Sequence, residues 1–343
     1  MIVFTPAFNQ KWLVLLLALM ALTLAVLYPL LKSSFIGNIF PEKRWHCYKD
    51  LTANERVVCR PLCSKGQFSL PGMSSCHPWL TCDDFLNIFP QKLLVKSVVK
   101  KVIQAKWKSY VVVMSSLASS HYQEDFKHHL KMLQSWSGNS LIIQLLGFCN
   151  DTIITEFYKL GSALNVWTLM NKQLRKYDSL IKRLNLCISY INIIKFLHFS
   201  PNGTRVMCDS NSLEKTLSQF LLQPDLHLVL NDLDALPEVK PESGKKIKCG
   251  HVELMGDFIA PEQRWPYPDL LFDDNEMPGY DEKTDIWKVP NVCNWFLEDD
   301  DNSEFLKLKL FKIHKQCKHL NASLRPTAQE VFQEYERVLQ ELL

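Results

Sequence analysis

A charge-free apolar run near the N-terminus constrains this chain more than any other feature of its sequence. From Trp12 to Leu31 no side chain is charged, and Lys11 and Lys32 stand at the two ends. A helix needs about 20 apolar residues to cross the hydrocarbon of a bilayer, and this run is long enough. We therefore expect a transmembrane signal-anchor over residues 12–31, after a cytoplasmic tail over residues 1–11. A cleaved signal peptide is the alternative, although its apolar region is usually shorter.

The orientation of the chain across the membrane depends on two opposing signals. Lys32, Lys43 and Arg44 follow the apolar run and Lys11 precedes it, which weakly favours a cytosolic C-terminal part. Three N-glycosylation sequons favour the lumenal side instead. They begin at Asn150, Asn202 and Asn321. Together with the cysteines described next, they lead us to expect a lumenal body.

Cysteines are crowded into the stretch that follows the apolar run. They are Cys47, Cys59, Cys63, Cys76 and Cys82. A disulfide-linked stem in an oxidising compartment explains this density, and we assign it to residues 32–84. A zinc cluster is the alternative, but paired C-x-x-C units with a matching histidine pair are missing. The sequence does not assign the pairing.

The remaining residues, 85–343, have the pattern of a globular domain. A net charge of +3 without a dense basic block argues against a nucleic-acid-binding surface. Runs of β-branched residues predict strands, and apolar residues at three- and four-residue steps predict helices. The predicted strands lie within Lys92–Leu117, Leu141–Leu146, Thr152–Phe157 and Leu226–Leu230, and the clearest helices over Asp125–Trp136 and Leu180–His198. A β-rich part followed by an α-rich part predicts two lobes with a cleft between them.

Three polar residues follow the long helix at nearly the spacing of protein kinases, in which H-R-D precedes a metal-binding Asn and then D-F-G. Asp209 stands at the catalytic Asp, Gln219 at the Asn, and Asp232 at the first position of D-F-G. The loop from Asp209 to Gln219 is about five residues longer than in kinases. Three further kinase markers follow in order. They are Ala260-Pro261-Glu262, Asp285-Ile286-Trp287 and Arg325-Pro326-Thr327.

Longer matching segments select one family among the kinases. From about Cys63 to the C-terminus, the chain resembles the protein O-mannose kinase family. The segments that carry the resemblance are Gly203–Asn211, Lys215–Gln219, Asn231–Pro237, Tyr280–Lys288 and the stem stretch Cys76–Cys82. The resemblance implies an α+β, bilobal protein-kinase-like fold, with a β-rich N-lobe and an α-rich C-lobe, over residues 85–343. It also implies a type II protein of the endoplasmic reticulum membrane. Members of the family use ATP to phosphorylate the 6-position of O-linked mannose in the GalNAc-GlcNAc-mannose trisaccharide of α-dystroglycan.

This resemblance assigns expected roles to the polar residues. Asp209 would orient the acceptor hydroxyl and take its proton. Asp232 and Gln219 would hold Mg²⁺ (or Mn²⁺) on the ATP phosphates. Ser115 occupies the place of the usual phosphate-binding lysine, so Lys100 of the preceding strand is the expected cation, unless it faces solvent.

Other markers are expected to be structural. Glu262 and Arg325 are predicted to form a buried ion pair. Asp285 is predicted to order the loop of Asp209 through backbone hydrogen bonds.

One stretch argues against catalysis. Kinases place glycines in the loop that covers the nucleotide, so that backbone amides can approach the phosphates. The matching residues here, Leu94–Val98, contain no glycine. His129 also lies near the place of the helix αC glutamate. A catalytically weak pseudokinase that binds a glycan or a partner in the lumen is therefore the alternative function.

Overall fold

The computed structural model describes residues 45–298 and 301–343. The tail and the signal-anchor expected over residues 1–31 lie outside these ranges. Within the ranges described, no helix is both long enough and apolar enough to cross a membrane.

Strands dominate the first half of the described chain and helices the second half. The strands are β1 (Trp45–Asp50), β2 (Arg56–Pro61), β3 (Gln67–Phe68), β4 (His77–Pro78), β5 (Ile88–Lys96), β6 (Lys100–Trp107), β7 (Tyr110–Leu117), β8 (Leu145–Cys149), β9 (Thr152–Glu156), β10 (Thr204–Arg205), β11 (Phe220–Leu222), β12 (Leu228–Leu230) and β13 (Glu238–Val239). The helices are α1 (Cys82–Phe85), α2 (Gln123–Ser135), α3 (Val166–Asn171), α4 (Leu180–His198), α5 (Leu213–Ser218), α6 (Lys283–Leu297), α7 (Asp301–Cys317) and α8 (Ala328–Gln340). Short 3-10 turns lie at Leu51–Ala53, Ser120–Tyr122, Ala163–Asn165, Arg175–Tyr177, Pro241–Ser243, Pro261–Gln263 and Ala322–Leu324.

The N-terminal lobe is a five-stranded antiparallel sheet with the strand order β5-β6-β7-β9-β8. Its first three strands cover the β-branched stretch Lys92–Leu117, so that prediction is confirmed. Helix α2 follows β7 and buries Phe126 and Leu133 in the main hydrophobic core. The chain thus has a β-sheet lobe followed by a helical part, an arrangement compatible with the expected kinase-like fold.

The predicted strand Leu141–Leu146 is wrong in its bounds, because the strand runs over Leu145–Cys149 instead. Residues 141–143 pair with β12 of the helical part: Leu230 N donates to Leu141 O at 2.8 Å, and Ile143 N donates to Leu230 O at 2.9 Å. An apolar run of this length shows that a strand-like segment exists, but its pairing partner is set by the fold.

The described part of the cysteine-rich stem, from residue 46 to residue 84, packs closely against the sheet, and residues 32–44 lie outside the described ranges. Phe68, Leu70 and Leu80 are buried in one cluster with Trp107 and other sheet residues. Leu80 also pairs with Gly147 on the edge strand β8. A Cβ atom at Gly147 would lie 2.5 Å from the Leu80 carbonyl oxygen, so glycine is required at this crossing.

Disulfides confirm the interpretation of the cysteines and supply the pairing that the sequence left open. Two of them close short loops within the stem, and a third attaches the stem to the end of β8. They are Cys47–Cys59, Cys63–Cys76 and Cys82–Cys149. The third closes a loop of 67 residues, for which the chain-entropy model gives a stabilisation of about 4 kcal/mol.

Helix α4 is the centre of the helical part. Its bounds, Leu180–His198, match the prediction, and the Ser179 side chain caps it by accepting a hydrogen bond from Lys182 N at 3.3 Å. The helix packs against α6 and α8, and α7 lies against both of these. Cys187, Cys293 and Cys317 are free thiols buried in this core.

An ion pair joins the Ala260-Pro261-Glu262 segment to the start of α8. Two nitrogen atoms of Arg325 donate to the carboxylate of Glu262 at 2.5 and 2.7 Å. The Arg325 side chain is fully buried, and it also donates to the carbonyls of His319 and Lys283. Because a buried guanidinium without a counter-charge is costly, this pair fixes the late part of the chain on the segment before α6.

We expect Glu262→Gln to lower the free energy of unfolding by about 2 kcal/mol, since it leaves the buried charge of Arg325 with only neutral acceptors. Glu334→Gln is the matched control, because Glu334 pairs with the half-exposed Arg337 on the surface of α8. Its effect should stay below about 0.5 kcal/mol. Urea unfolding of the two variants measures the difference, and equal effects would contradict the structural role of the pair.

Candidate active site

The hairpin β11–β12 brings Gln219 and Asp232 together. Phe220 pairs with Leu230, so the residues that flank the hairpin lie side by side, and Asn231 N donates to Gln219 O at 2.8 Å. The register of one short hairpin therefore unites two residues that are distant in sequence.

Lys100 reaches this hairpin from the sheet. It is the first residue of β6, and its Nζ donates to Asp232 Oδ1 at 2.6 Å and to Asp234 Oδ2 at 3.4 Å. Only 21% of the Lys100 side chain is exposed, whereas Lys101 is exposed on the opposite face of the strand. Val102 pairs with Ser115, so Lys100 lies one strand away from the usual lysine position. The structure thus places Lys100 against Asp232 and Asp234, and the solvent-facing alternative does not describe it.

The two carboxylates beside Lys100 differ in their electrostatics. Burial would raise the pKa of Asp232, but the charge and hydrogen bond of Lys100, with the contacts of His129 and Asp234, together lower the pKa to about 2. Burial and the negative charge of Asp232 raise the pKa of Asp234 to about 7. Asp232 is therefore ionised at neutral pH, while Asp234 can hold a proton until a cation in addition to Lys100 binds beside it.

Asp209 lies beside both of these carboxylates. One oxygen atom from each of Asp209, Asp232 and Asp234 lies within 4.8 Å of the others. Hard oxygen donors at this density fit Mg²⁺ or Mn²⁺. Gln219 is buried next to the group, but its Nε2 donates to Asp209 Oδ2 at 3.3 Å and to Lys215 O at 3.2 Å. The third acidic oxygen of the cluster thus comes from Asp234, and the amide of Gln219 contacts Asp209.

The lengthened loop after Asp209 folds into helix α5. Ser212 caps this helix by accepting a hydrogen bond from Lys215 N at 3.2 Å. The first turn of helix α5 brings Lys215 back toward Asp209, and the Lys215 Nζ lies 2.7 Å from Asp209 Oδ2. The extra residues therefore supply a cation, 47% exposed, beside the expected base.

The backbone on either side of Asp209 is held by helix α6. Asp285 Oδ2 accepts a hydrogen bond from Met207 N at 3.1 Å and also contacts His198 Nε2 at 3.2 Å. Three residues further along, the buried Lys288 donates to Ser210 Oγ at 2.6 Å. Asp285 thus bonds to the loop backbone, as the sequence predicts, and Lys288 adds a second attachment.

His129 of α2 contacts the segment that contains Asp232. Burial and the positive charge of Lys100 lower the pKa of His129 to about 3, so the ring is neutral at physiological pH. Its Nδ1 accepts a hydrogen bond from Leu233 N at 3.1 Å. A neutral histidine here ties helix α2 to the segment of Asp232 by a backbone hydrogen bond, in place of a charged pair.

The glycine-free loop forms a tight turn between β5 and β6. Ser97 Oγ accepts hydrogen bonds from Val99 N and Lys100 N, and Ser97 N donates to Lys100 O at 3.0 Å. The side chain of Val98 at the tip is 70% exposed. The Ser97 side chain therefore orders the turn, and the hairpin forms without a glycine.

Sequence reasoning missed two charged residues of this site. Asp234 follows Asp232 by two residues after a buried strand, a spacing that can place both carboxylates at the end of that strand. Lys215 stands within the lengthened loop, where a predicted helix after Ser212 could have shown that it returns to Asp209. The other expected markers, Glu262 and Arg325, lie in the separate ion pair described above.

The sequons are exposed to different degrees. Asn150 and Asn321 are exposed, and Asn202 is half-buried. The Asn321 side chain also accepts hydrogen bonds from Ser323 N and Ser323 Oγ at 3.0 and 2.8 Å. Glycosylation at these positions stays a prediction.

Comparison with known proteins identifies the relatives of this chain. No protein-family model matches it. Protein O-mannose kinase of Gallus gallus is 47% identical over 284 residues, which cover 81% of this chain and 80% of the relative. The protein of the same name from Homo sapiens is 46% identical over 287 residues, or 82% and 81% of the two chains, and that from Xenopus laevis is 44% identical over 283 residues, or 81% and 80%. At this identity and coverage, the chain belongs to the protein O-mannose kinase family.

Proposed function

We propose that this chain is a glycan kinase that transfers the terminal phosphoryl group of ATP to a hydroxyl of O-linked mannose. The observation that carries the proposal is the meeting of Asp209, Asp232 and Asp234 with Lys100 at one place in the fold. Phosphoryl transfer needs cations on the phosphates, an oriented nucleophile and a proton acceptor, and this cluster contains a group for each. A module that only binds glycan has no need of the combination.

The acceptor in this proposal is the 6-hydroxyl of mannose in the GalNAc-GlcNAc-mannose trisaccharide of α-dystroglycan. Membership of the family supports this finer assignment. A primary alcohol is a weak nucleophile, so a carboxylate must orient it and accept its proton as the new bond forms. We assign that role to Asp209. One of its carboxylate oxygens contacts Lys215 and Gln219, and 33% of its side chain is exposed to solvent, where an acceptor can approach.

The carboxylates Asp232 and Asp234 would hold the divalent cation. When bound, Mg²⁺ or Mn²⁺ neutralises charge on the phosphates of ATP. Asp232 is ionised and ready to bind, whereas Asp234 loses its proton as positive charge approaches. Gln219 keeps the Asp209 carboxylate in place through its amide hydrogen bond.

Two lysines supply positive charge to the site. Lys100 forms the buried contact with Asp232, and we assign it to the nucleotide phosphates. Lys215 lies on Asp209, and its exposed amine is free to move toward the phosphoryl group once the carboxylate has taken a proton. Cations aimed at developing charge are the main source of catalysis in phosphoryl transfer.

The glycine-free loop is the feature that favours the alternative, a lumenal binding module with weak catalysis. Val95 near the end of β5 is 54% exposed, and Val98 at the tip of the turn is 70% exposed. Their side chains limit the approach of backbone amides to phosphates. The retained charge cluster nevertheless favours the kinase over the binding module, because Lys100 and the divalent cation neutralise the phosphates without help from the loop.

Asp209→Asn tests the proposed base. We expect ATP-dependent phosphate incorporation into the isolated trisaccharide to fall by 10²–10⁴-fold, the range for loss of a general base, while trisaccharide binding persists. Asp83→Asn, which alters an exposed carboxylate of the stem, is the control and should keep full activity. Full turnover by Asp209→Asn would refute the assignment, and a wild-type chain that binds the glycan without phosphorylating it would establish the binding module.

Lys100→Met and Lys101→Met form a matched pair on one strand. We expect kcat/KM for ATP to fall about 100-fold in Lys100→Met, because a charged donor to the phosphates is lost. Lys101→Met should stay within about twofold of wild type, since its side chain faces away. Initial-rate kinetics at varied ATP concentration measure both variants, and equal losses would contradict the role of Lys100.

We further propose that the domain lies in the lumen of the endoplasmic reticulum, held by a type II signal-anchor over residues 12–31. Disulfides along the described chain and the exposed sequons support an oxidising, glycosylating compartment. Digestion of the protein from cells with an endoglycosidase should increase its gel mobility, and Asn150→Gln with Asn321→Gln should reduce that increase. A chain whose mobility does not change on digestion would contradict the lumenal orientation.

A further inference from the structure

Helix α7 exposes an apolar stripe to solvent. The helix runs over Asp301–Cys317, and its side chains Phe305, Leu308 and Phe311 are 53%, 74% and 62% exposed. No other α-helix of the described residues carries an exposed large apolar side chain. Because the outward face of a surface helix is normally polar, the stripe marks a place where another surface can bind.

The opposite face of α7 is packed in the main hydrophobic core. Leu306, Leu310 and Ile313 are buried there, together with Cys317 near the end of the helix. This packing fixes the rotation of the helix about its own axis. The stripe therefore stays on the outside of the folded chain.

Two charged residues lie in line with the stripe. Glu304, Leu308, Phe311 and Lys315 follow one another at steps of four, three and four residues, so they share one face of the helix. This is the spacing of the a and d positions of a coiled coil. The Glu304 side chain is 69% exposed, and Lys315 is also exposed. The face thus has a carboxylate at one end, an ammonium group at the other end, and apolar side chains between them.

A face with this pattern is complementary to itself. When two identical helices pack antiparallel about a twofold axis, a residue before the centre meets the residue that lies equally far after it. With the axis at the level between residues 309 and 310, Leu308 of each copy lies beside Phe311 of the other copy. In the same register, Glu304 lies beside Lys315 of the other copy at both ends of the pair. One arrangement therefore satisfies the apolar and the charged residues together.

Glu304 favours a second copy over a lipid bilayer as the covering surface. An apolar stripe with lysines beside it also occurs on helices that lie on membranes. A carboxylate within such a stripe would lose its hydration at the lipid without gaining a partner. Glu304 has only a 3.7 Å contact with Lys307, which leaves the carboxylate largely exposed. Lys315 of a second copy supplies the opposite charge that a bilayer surface lacks at this point.

We propose that helix α7 binds a second copy of this chain by packing antiparallel on the α7 of that copy. Each helix contributes 17 residues, or about 25 Å of length, so the interface is small and the association belongs to the weak class. Two chains that are held in one membrane meet at a higher effective concentration, which strengthens the association. Only this last step rests on the proposed signal-anchor, and the interface itself does not depend on kinase activity.

Charge reversal in the full chain tests the register. We expect Glu304→Lys and Lys315→Glu each to raise the dimer Kd about 10-fold, because like charges then meet at both ends of the pair. The double variant restores opposite charges and should return to within about threefold of the wild-type Kd. Sedimentation equilibrium in detergent measures all four chains, and their identical N-terminal segments leave α7 as the source of any difference. A wild-type chain that stays monomeric overturns the proposal, as does a double variant that dimerises more weakly than the single variants.

Leu308→Asp tests the apolar centre of the interface. We expect the dimer Kd to rise at least about 100-fold, because the pair would bury unpaired carboxylates in place of leucines. Leu271→Asp is the matched control, since Leu271 is 94% exposed and lies outside α7. Its Kd should stay within about twofold of wild type. An unchanged Kd in Leu308→Asp overturns the proposal, and if circular dichroism shows that this variant is unfolded, the charge-reversal variants decide.

Cross-linking tests the same register by distance. In Glu304→Cys/Lys315→Cys the introduced thiols meet across the pair, whereas the two positions of one helix are about 16 Å apart and cannot bridge. We expect oxidation to link two copies of the double variant and to leave each single variant unlinked. The native free thiols do not compete, because Cys187, Cys293 and Cys317 are buried. A double variant that stays unlinked, or single variants that link equally well, would overturn the register.

A phosphatidylcholine nanodisc that contains a single copy separates a second copy from lipid. Hydroxyl-radical labelling of Leu308 and Phe311 should be as strong in this disc as in the dilute, monomeric chain in detergent. It should fall at concentrations where the chain dimerises, because the two side chains are then covered. Protection in the single-copy disc would identify lipid as the covering surface and overturn the proposal.

Discussion

The site depends on the contact between Lys100 of the sheet lobe and Asp232 of the helical part. A lysine and an aspartate 2.6 Å apart, both largely buried, can remain charged only while they face each other. Each side chain is fixed by its own lobe: Lys100 by the register of β6, and Asp232 by the hairpin β11–β12. The contact therefore joins the two lobes at the site, together with the hydrogen bonds of residues 141–143 to β12 and of His129 to Leu233.

Helix α6 holds the second half of the site. Asp285 and Lys288 extend from one face of this buried helix to Met207 and Ser210, on the two sides of Asp209. Burial lowers the pKa of Lys288, although the neighbouring Asp285 carboxylate opposes that shift. Since the Glu262–Arg325 pair fixes the segment before this helix, the loop of the base is supported by charges that never contact a substrate.

Covalent bonds supplement these polar contacts in the chain. The stem covers the β8 edge of the sheet through Leu80 and the bond Cys82–Cys149, so this edge is not open to pairing with other chains. Arg60 of the stem also forms a buried ion pair with Glu156 at the end of β9, at 2.6 Å. Residues 46–84 of the stem and the lobe are therefore packed together, although the sequence analysis assigned the stem and the domain to separate regions.

The sequence by itself determined the elements and the order of the chemical groups. Periodicity located α4 to the residue, the β-branched runs located β5 to β7, and the ordered motifs selected Asp209, Gln219 and Asp232, because these signals are local. Tertiary structure alone decided which cysteines pair, that residues 141–143 join β12, and that Lys100 faces Asp232 instead of solvent. Those outcomes depend on which distant segments the packed core brings together, and local patterns carry no record of such contacts.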